Sequence, residues 1–235
     1  MIDVLYIKGK KSENDDLEMK YSLRSLAKYG KYYNRVFITG CLPDFVDKSK
    51  VVYTPADDIG APMTNHWWKV RKTIASTDIS DNFILMYDDI FFVRDTILCW
   101  YPYYFRGELG EFETGGEHYR QTLLNAKKFL LDGRFNTYDF ELHIPFLYNR
   151  TSFATLDAFF EPLKYDAQSM AVRSVYGNIF ADIKIGRADI KIRGKEKVED
   201  VIGGADCFSV SDDAFKYDTL DFLKKNFPER SKYEL

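Results

Sequence analysis

Cysteine is scarce in this chain: 3 in 235 residues, Cys41, Cys99 and Cys207, with no metal-binding or redox spacing between them. So sparse and odd a count argues against a disulfide framework and suits a reducing compartment. An excess of charge of one sign is also missing. Lys+Arg total 33 against 36 Asp+Glu, a formal net charge of −3, so no global basic field draws a polyanion. Nucleic acid would need a local patch. Lys69, Arg71 and Lys72, then Lys191, Arg193, Lys195 and Lys197, are the candidates, with solvated faces as the alternative. No apolar run reaches membrane-spanning length, and the opening Met1–Lys8 has no signal h-region. These absences lead us to expect a cytoplasmic protein with no membrane span. Repeats, low-complexity tracts and linkers are lacking too, and nothing in the sequence fixes an oligomeric state.

What is present is core-forming material, 46% hydrophobic and 17% aromatic, which excludes disorder. The length fits one domain over 1–235, with 1–95 as a donor-binding half and 96–235 as an acceptor and catalytic half. Asp3–Ile7 reads as a first central strand. Leu17–Tyr29 has helical spacing, with Asp15 or Asp16 as its N-cap and Gly30 as its stop. Arg35–Thr39 and Val51–Tyr53 read as strands, Asn65–Ser76 as a helix and Asn82–Met86 as the next strand. Alternation of this kind predicts an α/β fold with a mostly parallel sheet flanked by helices. Beyond Asp95 the pattern loosens. Trp100–Tyr104 is an aromatic pocket wall or sheet-edge cover, and 107–116 a loop. Helices are expected at His118–Asp132, Thr151–Phe160, Gln168–Phe180 and Asp218–Phe227. Tyr138–Tyr148 is extended or loop, and Asp206–Phe215 a strand and turn.

The most informative stretch is Phe83–Phe92, where an apolar run ends in Asp88 and Asp89 and resumes at once. On a strand the two carboxylates would project to opposite faces. Anions beside so much apolar surface need a cation, a basic side chain or backbone N–H groups. A divalent metal such as Mg²⁺ or Mn²⁺, bridging phosphates, is one solution. A strand-end Asp capping a turn beside a solvated neighbour is the other. Asp212 and Asp213 repeat the pattern after Cys207–Val210, as a second part of the same site or as a turn-initiating pair.

Several segments together resemble the Stealth family of sugar-phosphate transferases. Asp15–Leu26 is similar to that family's second region and Ile2–Tyr6 to a reduced first region. Asn65 stands where the family has an Asn before a helix. Tyr87-Asp88-Asp89-Ile90-Phe91-Phe92 is similar to its Asn-Asp-Asp-x-Phe-Phe, and Glu141–Pro145 to its His-x-Pro. Arg173–Tyr176 matches the following Arg, and Cys207–Asp213 its last apolar strand ending in Asn-Asp-Asp. Tyr87 and Ser211 replace Asn at the two Asp-Asp sites, and Ile7-Lys8-Gly9 stands where Trp-Val-Asp-Gly is usual. The resemblance implies a GT-A-like, Rossmann-type sheet, a nucleotide-sugar donor of UDP type and usually a divalent metal. The short length also resembles small phage glycosyltransferases, some of which modify hydroxymethylated DNA bases.

On that resemblance His143, Asp89, Arg173 and Asp212 are the catalytic candidates. Asp3, Tyr6, Lys8, Arg24, Asn65 and Asp88 are expected to bind the donor, and Asp89 with Asp213 to hold a metal. His143 would be a general base or a metal ligand, against a satisfied core histidine. Arg173 would clamp a phosphate, against a surface pair with Asp166. Arg24 would reach a phosphate or pair with Asp16 or Glu18. His66, Trp67 and Trp68 flank a sugar or belong to the core, and His118 has no assigned role. The function expected is transfer of a glycosyl or sugar-1-phosphate group to a glycan or polysaccharide hydroxyl. Phage DNA glycosylation and a non-catalytic sugar-binding module are the alternatives. All the enzymatic readings require Asp89, His143 and Asp212 to share one cavity.

Overall fold

The computed structural model describes residues 1–10, 12–111, 116–163 and 170–235, the side chains of 159–163 excepted. In chain order β1 (Ile2–Lys8), α1 (Leu17–Tyr29), β2 (Gly30–Lys31), β3 (Tyr33–Gly40), β4 (Val52–Pro55), α2 (Pro62–Ser76) and β5 (Asn82–Met86) form the first part. Next come β6 (Ile90–Phe92), β7 (Thr96–Ile97), β8 (Tyr103–Phe105), α3 (Glu117–Asp132), β9 (Phe146–Asn149), α4 (Arg150–Leu163) and α5 (Val172–Phe180). The chain finishes with β10 (Lys184–Gly186), β11 (Lys191–Ile192), α6 (Val198–Ile202), β12 (Cys207–Val210), α7 (Asp212–Ala214) and α8 (Leu220–Asn226).

The central sheet has the order β4-β3-β1-β5-β9, parallel except for β9, which runs antiparallel to β5. Every residue of β1 is buried, which is why it reads as a continuous apolar run and not as an alternating one. Leu5 and Ile7 face one cluster with Phe37, Phe83 and Leu85, covered by Val70 of α2, Phe129 of α3, Phe153 of α4 and Tyr176 of α5. Ile2, Val4 and Tyr6 face the other, with Ile38, Ile84 and Met86, under Met19, Leu23 and Leu26 of α1. Each such side chain contributes roughly 1.5–3 kcal/mol by leaving water. The expected mixed α/β architecture with a mostly parallel sheet is therefore present. No helix among the described residues is long and apolar enough to cross a membrane.

After β5 the chain leaves the central sheet through Tyr87-Asp88-Asp89 and enters a three-stranded sheet of order β11-β12-β6. There β12 runs antiparallel to β6 and parallel to β11. Register pairs Lys191 with Ser209 and Ser209 with Ile90, so β11 is brought beside the Asp-Asp turn. Two further parallel pairs, β10-β8 and β2-β7, are short.

Several sequence expectations are corrected here. Asp16 occupies the N-cap position of α1, but with φ 58° and no side-chain cap bond, because its carboxylate is used elsewhere. Helix α2 starts at Pro62, so Asn65 lies in its first turn and not before it. Helix α5 starts at Val172; Gln168, and the Asp166 weighed as a partner of Arg173, lie outside the described residues. Trp100 is 77% exposed and Tyr101 is buried against Cys207, so this aromatic run packs at an edge. The 3 cysteines are free.

One backbone position fixes the edge that the site uses. Gly40 ends β3 with φ +127°, and a Cβ there would sit 1.9 Å from the Lys8 carbonyl oxygen. Gly40→Ala is expected to cost roughly 2–5 kcal/mol, from an unfavourable backbone region plus overpacking. A chemical-denaturation midpoint unchanged from wild type would contradict this.

Candidate active site

The residues that matter sit at the carboxyl ends of β1 and β5, the edge at which open α/β sheets bind ligands. Lys8, the last residue of β1, is only 2% exposed. Its ammonium reaches Asp16 at 3.0 Å, Asp88 at 3.0 Å and the Lys10 carbonyl at 2.9 Å. A buried ammonium has three protons to place, and these three acceptors take them. Burial alone would pull the Lys8 amine down, but Asp88 and Asp16 outweigh it and hold it above its ordinary value.

Asp88 and Asp89 occupy a turn and not a strand, so they do not splay to opposite faces as strand geometry implied. Both line one cavity of about 410 Å³, together with Glu18, Tyr87, Glu141, His143, Arg173 and Asp212. The two carboxyls are electrostatically unlike. Burial pushes Asp88 up to about 6 in spite of Lys8, whose charge is shared with Asp16, and the neighbouring Asp89 adds to the rise. Burial also raises Asp89, but His143 and Lys191 outweigh it and bring its carboxyl down to about 2. Lys191 lies 3.2 Å from Asp89 Oδ2, and His143 Nδ1 lies 3.5 Å from the same oxygen.

His143 sits in the non-helical stretch before β9, where Pro145 disfavours a helix, and its backbone N–H donates to Asp189 at 3.0 Å. Asp212 lines the cavity from α7, whose N-terminus Ser211 caps by accepting from the Ala214 N–H. Asp212 and Asp213 are both exposed, and adjacent helical residues diverge by about 100°, so of the two only Asp212 belongs to the lining. Arg173 lines the cavity yet is 2% exposed and committed to the fold. Nε donates to Glu141 at 3.1 Å, Nη1 to the Leu142 carbonyl at 2.7 Å, and the guanidinium lies over the Tyr87 ring. Among the described residues these hydrogen bonds use Nε and Nη1 and not Nη2.

Four donor-site expectations fall elsewhere. Asp3 is at the opposite end of β1, buried and paired with Arg35 at 2.9 Å. Tyr6 is buried with its hydroxyl 3.0 Å from Ser22. Arg24 forks onto Glu234 at 2.8 and 2.7 Å and pairs with neither Asp16 nor Glu18. Asn65 braces the turn before α2 by accepting from Ile59 and Gly60 N–H groups at 2.8 and 3.1 Å. His66 lines the cavity from behind, as a core histidine between the Tyr87 and Tyr148 hydroxyls at 2.6 and 3.0 Å. Burial, with the Arg173 charge second, holds it well below the ordinary imidazole value. Glu18, weighed as a partner of Arg24, and Lys191, weighed as part of a basic patch, prove to be site features, as do Glu141 and His118, for which no role was expected. For Glu141 the signal was present, two residues before His143.

The donor set does not fit the metal that the resemblance implies. Asp213 does not line the cavity that Asp89 lines, and each of Asp88 and Asp89 already carries a lysine ammonium on Oδ2. Among the described residues no group of three or more His, Cys, Asp or Glu side chains is placed to hold a metal ion. No family model matches the chain, and no curated protein matches it.

The Arg173–Glu141 pair gives a measurable consequence, since both side chains are at most 3% exposed. Arg173→Leu leaves Glu141 buried without its cation and is expected to cost about 3–5 kcal/mol. Urea unfolding reads this directly; a loss below about 1 kcal/mol would show that the guanidinium is not structural.

Proposed function

We propose that this chain is a nucleotide-sugar-dependent transferase with a GT-A-like sheet, moving a glycosyl or sugar-1-phosphate group onto a glycan hydroxyl. The observation that carries the reading is convergence. Asp88, Asp89, His143, Arg173 and Asp212, from stretches spread over more than a hundred residues of chain, line one cavity at the carboxyl edge of a mostly parallel sheet. Its volume lies within the roughly 300–1,000 Å³ of small-molecule sites. Carboxylates are acceptors only, and a sugar presents hydroxyl donors to them. The same acid lining offers no seat to a polyanion, which favours a neutral glycan acceptor over DNA.

A second hollow of about 1020 Å³ adjoins the carboxyl ends of β1, β3 and β4, lined by Lys10, Gly40, Tyr53 and Asp58 among others. Gly9 and Lys10 line this hollow and Ser12 lines the first, so the loop after β1 separates the two. A donor with its nucleoside in the larger hollow and its sugar in the smaller would lay its phosphates across this loop. Lys10 is then the exposed cation beside them.

Asp88 suits the base. Its carboxyl is ionised at neutral pH yet basic enough, at about 6, to take the acceptor hydroxyl proton as oxygen attacks. Asp89, at about 2, stays ionised throughout and orders the neighbouring side chains. In glycosyl transfer the oxygen attacks the anomeric carbon and nucleoside diphosphate leaves. In sugar-phosphate transfer it attacks phosphorus and nucleoside monophosphate leaves. Product mass separates them.

Release of nucleotide from a panel of nucleotide sugars is the test. Turnover should fall as pH drops through about 6, because protonated Asp88 cannot accept a proton, and by roughly tenfold per unit below it. Asp88→Asn should remove this limb with about 10²–10⁴-fold of the rate, while the melting temperature at neutral pH does not fall. Failure of every donor to bind or turn over would remove the reading.

A further inference from the structure

We propose that the surface around the carboxyl end of α1 is a docking face for a bilayer containing anionic phospholipid. A hollow of about 530 Å³ opens there, lined by Lys28, Arg230 and Lys232 against the carboxylate of Glu229. Arg24 also lines it, but Glu234 neutralises that guanidinium. In a chain of net charge −3 the hollow is therefore a local excess of positive charge. Lys28 donates to the Asn226 carbonyl at 3.0 Å, and the Lys232 ammonium lies over the Tyr33 and Tyr233 rings. Among the described residues these partners are a carbonyl and two ring faces, and no carboxylate pairs with either ammonium. The negative end of the helix dipole accounts for Lys28, in the last turn of α1. It does not account for Arg230 and Lys232, which lie beyond α8.

Bulky apolar side chains stand beside these cations. Lys31 donates to the Lys28 carbonyl at 2.9 Å and pairs in register with Ile97, which is 42% exposed. Its ion pair with Asp95, at 3.1 Å, is at the surface and weak. Tyr32 has φ 61°, unfavourable for a residue with a Cβ, and is 62% exposed. Its neighbour Tyr33 is tied to the fold, accepting from the Tyr233 hydroxyl at 2.9 Å. The exposed Trp100 ends the short turn that follows Ile97. Lysines are drawn to anionic headgroups, and Trp and Tyr settle at headgroup depth. A free phosphate would use the cations and leave Tyr32, Ile97 and Trp100 without a role. A bilayer uses both.

The face lies at the amino ends of the strands. Tyr33, which lines the hollow, opens β3 and is paired with Ile2 at the start of β1. Lys8 ends β1 roughly 20 Å away, at about 3.3 Å per residue. A bilayer docked on this face leaves the cavity at the carboxyl edge open to water. The docking goes beyond the transferase reading and does not depend on it.

The experiment is co-sedimentation of the full chain with vesicles of phosphatidylcholine alone and of phosphatidylcholine mixed with phosphatidylglycerol. Binding is expected with the anionic vesicles only, and should weaken steeply as salt is raised. Lys28→Gln combined with Lys232→Gln should lower the partition coefficient roughly fivefold per lysine. Arg230→Gln with Lys232→Gln replaces that pair, with the same expectation, if it melts below wild type. Brominated lipid should quench part of the tryptophan fluorescence. Trp100→Phe should remove that quenching, since Trp67 and Trp68 lie on α2, on the opposite face of the central sheet from α1. No partition into anionic vesicles, an unchanged partition in a folded variant lacking two cations, or quenching that survives Trp100→Phe would overturn the proposal. So would displacement from the vesicles by inorganic phosphate at matched ionic strength, which assigns a phosphate pocket instead. Retention of duplex DNA without vesicle binding would likewise overturn it and assign the face to nucleic acid. Vesicle binding by a chain that turns over no nucleotide sugar would remove the transferase reading and leave the docking face standing.

Discussion

A buried ammonium at the end of the first strand is the constraint on which the site depends. Lys8 has no water to solvate it, so Asp16, Asp88 and the Lys10 carbonyl must remain within hydrogen-bond reach. Those three acceptors come from the start of α1, the turn after β5 and the loop after β1. One charge thereby ties together the three segments that border the cavity. The arrangement also explains the unusual entry into α1, where Asp16 adopts a left-handed backbone and leaves the helix uncapped by its side chain. Its carboxylate serves Lys8 and accepts from the Ser12 N–H at 2.8 Å instead.

A second ammonium works on the other half of the pair. Lys191 faces Asp89 much as Lys8 faces Asp88, yet the two carboxyls end with very different proton affinities. The difference lies in how the cations are shared. Lys8 divides its charge between two carboxylates, so burial prevails at Asp88. Asp89 meets Lys191 together with the polar edge of His143, and burial loses. Adjacent residues of one type thereby acquire distinct chemical characters, which is the separation that acid–base work needs. The cations that accomplish this occupy the oxygens a divalent ion would use.

Much of the frame was legible in the residues. The apolar runs Asp3–Ile7 and Asn82–Met86 and the helical spacing of Leu17–Tyr29 read correctly because both faces of the sheet are buried and one face of the helix is. Cavity membership was legible for Asp88, Asp89, His143, Arg173 and Asp212. Other side chains misled for identifiable reasons. Asp3 lies on the same strand as Lys8, but its place at the far end put its carboxylate against Arg35 and away from the ligand edge. Arg24 found its acceptor in Glu234, 210 positions away, a pairing no local pattern encodes. Lys191 looked like part of a solvated basic run because only its strand register, two ladders removed, brings it to Asp89.

By itself the sequence determined the alternation of strands and helices, the parallel sheet and the presence of carboxylates where an apolar strand stops. Periodicity and burial are local properties, and apolar runs of strand length have few ways to be hidden from water. Which charges meet was decided only by the tertiary structure. Pairing of ammonium with carboxylate depends on distance in space, and here the partners come from opposite ends of the chain, joined by a turn that carries the backbone from one sheet to another.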